Sequence, residues 1–106
     1  MEIQLSWEDP SGELSEQRLS VPIAFGREAS QLPPSIGEQQ VSPIVLASKQ
    51  ISRFHALITE TNGQLAIADH SSNGTFVNGQ RIQDTQPLTS GDTVRIGPYE
   101  ITITVS

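Results

Sequence analysis

The chain has 106 residues, a formal net charge of −6 and no cysteine. This length predicts one domain with one core, and the lack of cysteine excludes disulfides and thiolate metal sites. Six basic residues against twelve acidic ones argue against nonspecific nucleic-acid binding, which needs a basic face. No signal-peptide pattern and no run of about 20 apolar residues are found. We therefore expect a cytoplasmic protein that does not bind membranes by itself.

Alternation of apolar and polar residues with period 2 is the main pattern along the chain. It begins with Ile3, Leu5 and Trp7, which alternate with polar residues. Each run of this kind predicts a half-buried strand. We expect about ten strands, near residues 2–7, 14–20, 22–26, 44–46, 54–60, 64–68, 75–77, 81–82, 93–96 and 99–105.

Turn signals separate these runs, and Asn62-Gly63 is the clearest of them. Asn-Gly supplies the positive φ angles of a tight hairpin turn. No window carries an apolar stripe of helical period over three turns. The predicted fold class is therefore all-β, a sandwich or a barrel.

Residues 28–43 do not follow the strand pattern. They contain Pro33, Pro34, Gly37 and many polar residues, and they end on Pro43. This composition predicts a long loop with room for one helical turn. Loops of this length in compact domains are usually functional or mobile.

Arginines and small polar residues occur together at predicted loops in three places: Gly26-Arg27, Ser52-Arg53 and Ser72-Asn73. A phosphate dianion is bound by fixed donors such as arginine forks, hydroxyls and backbone N–H groups. If these loops meet at one end of the sandwich, they form such a donor cluster on a rigid scaffold. The pattern favours phosphate binding over chemistry on a bond.

These blocks also resemble a known family. Gly26-Arg27, Ser52-Arg53-Phe54-His55 and Asn73-Gly74-Thr75-Phe76-Val77-Asn78-Gly79 resemble, in this order, the signature blocks of the forkhead-associated (FHA) domain. Val94-Arg95-Ile96-Gly97 is similar to its closing block. The resemblance covers essentially the whole chain. It implies a two-sheet β-sandwich of about eleven mostly antiparallel strands, which binds phosphothreonine peptides through loops at one end.

The resemblance implies a role for each residue of these loops. Arg27 and Ser52 would contact the phosphate, and Arg53 would add positive charge beside it. Ser72 would support the phosphothreonine pocket, and Asn73 would hydrogen-bond the peptide backbone. Structural support of the site would come from Gly26, His55, Gly74 and Asn78.

The distance in sequence between Arg27 and Ser52 is longer than a compact member of the family would show, and the extra length falls in residues 28–43. This loop could select residues after the phosphothreonine, or it could cover the site. Glu28 and Glu38 would disfavour acidic residues in the ligand if they lie close to it.

Two other readings compete with phosphopeptide recognition. Ser52 and His55 with Asp69 or Asp92 could suggest a catalytic triad, but no Gly-x-Ser-x-Gly elbow is present. His55, His70 and Asp69 fall short of a metal set. We therefore predict no enzyme, no metal and no cofactor. The stronger alternative is a phosphorylation-independent interaction module that acts through a sheet face or within its own polypeptide.

For the domain organisation, we expect residues 1–106 to be one FHA-like domain excised from the N-terminus of a longer protein. The expected partners are a phosphothreonine-containing protein or peptide and a Ser/Thr kinase or fused effector region. We expect neither nucleic acid nor membrane as a partner.

Overall fold

The computed structural model describes residues 1–105. Within this range the chain forms thirteen strands and one 3-10 helix at Ala29–Gln31. The strands are β1 (Glu2–Glu8), β2 (Leu14–Ser20), β3 (Ile23–Gly26), β4 (Ser35–Ile36), β5 (Gln39–Gln40), β6 (Ser42–Val45), β7 (Ala56–Thr61), β8 (Gln64–Asp69), β9 (Thr75–Val77), β10 (Gln80–Arg81), β11 (Thr85–Leu88), β12 (Thr93–Ile96) and β13 (Tyr99–Val105). No helix in this range is long and apolar enough to cross a membrane.

Eleven of the strands form a two-sheet sandwich, as predicted. Six strands form one sheet in the order β10-β9-β12-β13-β1-β2, and five form the other in the order β11-β8-β7-β3-β6. Every pair of neighbouring strands is antiparallel except β3 and β6, which are parallel. The fold is therefore a mostly antiparallel β-sandwich.

The alternating residues of the strands build the core between the sheets. Ile3, Leu5 and Trp7 of β1 point inward beside Ile101 and Ile103 of β13. Residues of the five-stranded sheet complete the same cluster. Burying one such large apolar side chain contributes roughly 1.5–3 kcal/mol, so the core holds the two sheets together and fixes the ends of their strands.

Among the eleven strands of the sandwich, the sequence patterns missed β11 (Thr85–Leu88). Its pattern of burial is three exposed residues followed by the buried Leu88, and Pro87 lies within it. Proline is tolerated there because β11 is an edge strand and pairs only with β8. An exposed strand of four residues with a proline has no alternation that sequence patterns can detect.

Residues 28–43 are more ordered than the predicted loop. The predicted helical turn is present as the 3-10 helix, and β4 and β5 form a short hairpin. Leu32 and Val41 are buried together with Ala24 of β3, and half-buried Ile36 and Phe54 pack against them. The segment is thus fastened to β3 by its own small apolar cluster. Its two-residue strands are too short to show a period in sequence.

Gly26 ends β3 where two loops approach each other closely. A Cβ atom at this position would lie 2.0 Å from the backbone oxygen of Arg53 and 2.7 Å from Cδ2 of Leu32. The lack of a side chain lets Arg27 N donate to the oxygen of Ser52 over 3.1 Å. Glycine is therefore required by the contact between the chain after β3 and the loop before β7.

We predict that Gly26→Ala lowers the free energy of unfolding by about 3 kcal/mol, because the clash is with backbone that cannot rotate away. Gly63→Ala is the matched control, since its Cβ would meet nothing within 4 Å and only its φ of +80° is unfavourable. The Gly63→Ala substitution should lower the free energy of unfolding by about 1 kcal/mol. Urea unfolding of both variants measures the difference. Equal losses would show that the close approach at Gly26 does not matter.

Candidate functional site

Three loops meet at one end of the sandwich: the chain after β3, the β6–β7 loop and the β8–β9 loop. Together they line an open cleft of about 390 Å³. All five predicted ligand-contacting residues lie in it, together with four others. The lining residues are Arg27, Lys49, Ile51, Ser52, Arg53, Phe54, His70, Ser72 and Asn73.

Arg27 is held in place by the neighbouring loop. Its backbone N–H donates to the oxygen of Ser52, and its Nε donates to the oxygen of Ile51 over 3.0 Å. Since Nε is used for this anchor, the two terminal NH₂ groups of the guanidinium remain as donors. The half-buried position restricts the side chain, so less conformational entropy is lost when it binds a ligand.

Ser52 connects the β6–β7 loop with the β8–β9 loop. Its Oγ accepts the backbone N–H of Ser72 over 3.1 Å, which leaves the hydroxyl hydrogen for another acceptor. Asn73 makes a second link, because its Nδ2 donates to the oxygen of Gln50 over 3.1 Å. The side-chain oxygen of Asn73 remains an acceptor at the edge of the cleft.

His55 lies beneath these loops and is fully buried. Its Nδ1 accepts the backbone N–H of Ser52 over 3.1 Å, so Nε2 carries the proton and donates to the oxygen of Gly74 over 3.0 Å. Its own backbone donates to Phe25 and accepts from His70. Burial lowers the pKa of His55 more than the Gly74 carbonyl and the charge of Asp69 raise it. The imidazole is therefore neutral near pH 7.

Asp69 orders the β8–β9 loop. Its Oδ1 accepts the backbone N–H of Ser71 over 3.0 Å, the hydroxyl of Ser71 over 2.5 Å and the hydroxyl of Thr75 over 2.9 Å. Burial alone would raise the pKa of Asp69, but these hydrogen bonds and the nearby His55 outweigh it and lower that pKa. The ionised carboxylate thus fixes the turn that carries Ser72 and Asn73.

The cleft is a basic spot on an acidic protein. Arg27, Lys49 and Arg53 line it, which is three of the six basic residues in the chain. No aspartate or glutamate lines it. Glu28 approaches from beside the cleft, where its Oε1 lies 3.6 Å from Nε of Arg53. This concentration of positive charge favours an anionic ligand.

The sequence predicts no binding role for three residues that line the cleft, Lys49, Phe54 and His70. Phe54 stacks on the imidazole of His70 with ring centroids 4.4 Å apart. It also packs against the apolar cluster of the 28–43 segment. Lys49 is only three residues before Ser52 on the same loop, and that proximity was the available sequence signal.

The other predicted residues lie outside the cleft. Asn78 occupies the β9–β10 turn with φ of 51°, and its amide bonds Oδ1 of Asp92 over 3.0 Å and the N–H of Thr93 over 3.0 Å. Gly74 has φ of +99°, and its carbonyl oxygen accepts the hydrogen bond from Nε2 of His55. None of residues 28–43 lines the cleft, so the segment does not cover it here. Glu38 is on the β4–β5 turn.

The geometry does not form a catalytic triad. Both ring nitrogens of His55 are occupied by backbone groups, and Nδ1 faces the N–H of Ser52 rather than its hydroxyl. The imidazole is therefore not placed to take a proton from Ser52 Oγ. Among residues 1–105, no group of three or more His, Cys, Asp or Glu side chains is placed to hold a metal ion.

The network below the cleft predicts that acid weakens the fold. Because the pKa of folded His55 lies below 6.5, the unfolded chain gains its proton first, so stability falls as pH decreases from 6.5 towards the lower folded value. The lowered pKa of Asp69 removes further stability below pH 3.8. Urea unfolding between pH 7.5 and pH 5 should show the first loss, with a slope of at most about 1.4 kcal/mol per pH unit.

Two histidine variants test the origin of that slope. His55→Gln should lose about 2–3 kcal/mol at pH 7.5, because buried backbone groups lose their partners, and its stability should depend less on pH. His70→Gln replaces the exposed histidine and should retain the slope. The reverse pattern would refute the role of His55.

Comparisons with known proteins identify the family. The FHA domain family matches residues 24–97. The ABC transporter ATP-binding/permease protein Rv1747 of Mycobacterium tuberculosis is 41% identical over 95 residues, which is 86% of this chain and 11% of that protein. The transcriptional regulatory protein EmbR of the same organism is 40% identical over 72 residues, or 67% of this chain and 19% of EmbR. The chain therefore spans a small part of these relatives.

Solved structures agree with the sequence relatives. The FHA domain of CT664 from Chlamydia trachomatis superposes with a TM-score of 0.79 at 22% identity, covering 100% of this chain and 99% of the other, and shows the shared fold. EmbR of Mycobacterium tuberculosis, solved in complex with a low affinity phosphopeptide, superposes with a TM-score of 0.69 at 28% identity over 97% of this chain and 24% of EmbR. With the family match over residues 24–97, these findings show that the chain belongs to the FHA domain family.

Proposed function

We propose that this FHA domain recognises phosphothreonine in peptides, and that Arg27, Ser52 and Arg53 bind the phosphate. The observation that carries the proposal is the convergence of these three residues in one cleft with three cations and no carboxylate in its lining. On a chain of net charge −6, this is the place where a dianion is favoured rather than repelled.

The available donors fit a phosphate group. The terminal NH₂ groups of Arg27 provide a planar fork for phosphate oxygens. The hydroxyl of Ser52 can donate because its oxygen already accepts from Ser72. Each hydrogen bond to a charged group contributes roughly 1.5–3 kcal/mol. Two or three of them distinguish a phosphorylated peptide from an unmodified one.

The edge of the cleft supplies contacts for the rest of the peptide. Asn73 is anchored through one amide hydrogen, so its oxygen and second N–H face a peptide backbone, and Ser72 lies beside the phosphothreonine. Half-buried Phe54 gives the cleft apolar surface on which a threonine methyl can pack. A buried methyl contributes about 0.8 kcal/mol, which favours phosphothreonine over phosphoserine.

The relatives support a role in Ser/Thr-kinase signalling. EmbR was solved with a phosphopeptide. A second structure, which superposes over 100% of this chain and 98% of its own, comes from a study of phosphothreonine-dependent FHA domain interactions. EmbR, a transcriptional regulatory protein, and Rv1747, an ABC transporter protein, each contain a segment similar to this chain. We infer that this domain recruits a phosphorylated protein to an effector region or kinase, and that it performs no catalysis itself.

We predict that Arg27→Ala and Ser52→Ala each weaken binding of a phosphothreonine peptide by about 10- to 100-fold, as expected from the loss of a charge-assisted hydrogen bond. Isothermal titration against an oriented phosphothreonine peptide library, with phosphoserine and unphosphorylated versions, measures this. Arg27→Lys should fall between wild type and alanine, because it keeps the charge but loses the Nε anchor. Wild-type affinity should be roughly micromolar.

Arg18→Ala is a control for the loss of an arginine on β2, which lines no part of the cleft, and should keep most of the affinity. If Arg27→Ala binds its partner as wild type does, the domain acts without phosphate, through a sheet face or within its own polypeptide.

We predict that Glu28→Gln strengthens phosphopeptide binding about two- to fivefold at low salt. The substitution removes a carboxylate that lies 3.6 Å from Arg53, where it competes with phosphate for the same cation. The exposed pair itself is weak, so the gain is small and is screened by salt. Glu38→Gln is the control with the same charge change on the β4–β5 turn and should leave the affinity unchanged. An equal gain in both variants would mean that only net charge matters.

A further inference from the structure

Strand β2 is an unprotected edge of the six-stranded sheet. It runs for seven residues, Leu14–Ser20, and its neighbour in the sheet is β1 alone. The other three edges are blunted in the usual ways: β10 has only two residues, β6 contains Pro43 and β11 contains Pro87. Proteins commonly protect edges by such short strands and prolines. β2 is long and contains no proline, so its outer edge can pair with another strand.

The pairing with β1 determines which backbone groups of β2 face outward. Asp9 N donates to the oxygen of Glu13 over 2.8 Å, and Val21 N donates to the oxygen of Met1 over 2.9 Å. In this antiparallel register, odd-numbered residues of β2 therefore bond to β1. Hydrogen-bonded positions alternate along such a pair, so the N–H and C=O groups of Leu14, Glu16, Arg18 and Ser20 point to the open edge.

The even-numbered residues make β2 complementary to itself. In an antiparallel pair of two β2 strands, each outward residue must face another outward residue. A two-fold axis at Gln17 places Glu16 opposite Arg18 of the second copy, twice. Shifting the register by two residues in either direction instead places Glu16 opposite Glu16 or Arg18 opposite Arg18. Opposite charges across strands stabilise and like charges destabilise, so charge selects the register centred on Gln17.

The side chains needed for this pairing are already on the outer face of the sheet. Nε2 of Gln4 donates to Oε1 of Glu16 over 3.1 Å, and Nε of Arg18 lies 3.4 Å from Oε1 of Glu2. The Arg18 side chain is 52% exposed, and a guanidinium has donors for two carboxylates. The strand also carries Leu14, which is 78% exposed and lies opposite Ser20 in the proposed pair.

We propose that a second copy of this domain adds its β2 to this edge, antiparallel and in the register centred on Gln17, to form one continuous sheet across a two-fold axis. No residue of β2 lines the loop cleft, so both clefts stay open in the dimer. A single pair of edge strands buries little surface, so the association is weak and reversible. It also weakens as salt screens the Glu16–Arg18 pairs.

Sedimentation equilibrium between about 10 µM and about 1 mM at low salt tests the dimer directly, since weak association needs high concentration. Wild type should show a concentration-dependent dimer. Glu16→Arg and Arg18→Glu should each be monomeric, because both pairs between positions 16 and 18 then carry like charges. An equimolar mixture of the two variants should associate again as a heterodimer, and the double variant Glu16→Arg/Arg18→Glu should associate like wild type.

The mixture distinguishes this register from a general effect of charge or folding. Urea unfolding checks that each variant is folded, and Glu38→Arg is the matched charge change away from β2 and should leave the dimer intact. A wild-type domain that stays monomeric at about 1 mM would overturn the proposal. So would single variants that dimerise as wild type does, or monomeric variants that fail to associate when mixed.

Discussion

The rest of the site depends on the two hydrogen bonds that the buried imidazole of His55 makes to backbone groups. It accepts from Ser52 on one loop and donates to Gly74 on another, while its backbone bonds Phe25 of β3. One residue, through its neutral side chain and its backbone, thus joins three elements that are far apart in sequence. Because both partners are backbone groups, the histidine fixes where the chain runs and leaves the side chains above it free to bind.

The cleft reconciles an acidic domain with an anionic ligand. Long-range repulsion from a net charge of −6 is screened at physiological salt over about 8 Å, whereas Arg27, Lys49 and Arg53 act at contact distance. The scaffold holds Arg27 through the backbone oxygens of Ile51 and Ser52. The positive charge of the cleft is therefore a local property of the loops, and the acidic remainder of the surface disfavours nonspecific polyanions.

The 28–43 segment acts on the site indirectly. It lines no part of the cleft, but Leu32 and Val41 form the apolar cluster against which Phe54 packs. Phe54 in turn stacks on His70 at the cleft wall. The segment supports one wall of the site from behind, and its first residue, Glu28, pairs with Arg53. The support that the segment gives to the site therefore lies in its contacts with Phe54 and Arg53.

Alternation such as Ile3, Leu5 and Trp7 was enough to predict an all-β fold, because it leaves only one face of each strand to bury. The choice of a two-sheet sandwich over a barrel came from the resemblance of the loop blocks to the FHA family. The ordered blocks around Arg27, Ser52 and Asn73 likewise pointed to the loops that meet in the cleft. The β11 edge strand, the packing of residues 28–43 and the inclusion of Lys49 and His70 in the cleft became visible only in the folded chain. These depend on contacts between distant segments, which leave no periodic signal along the chain.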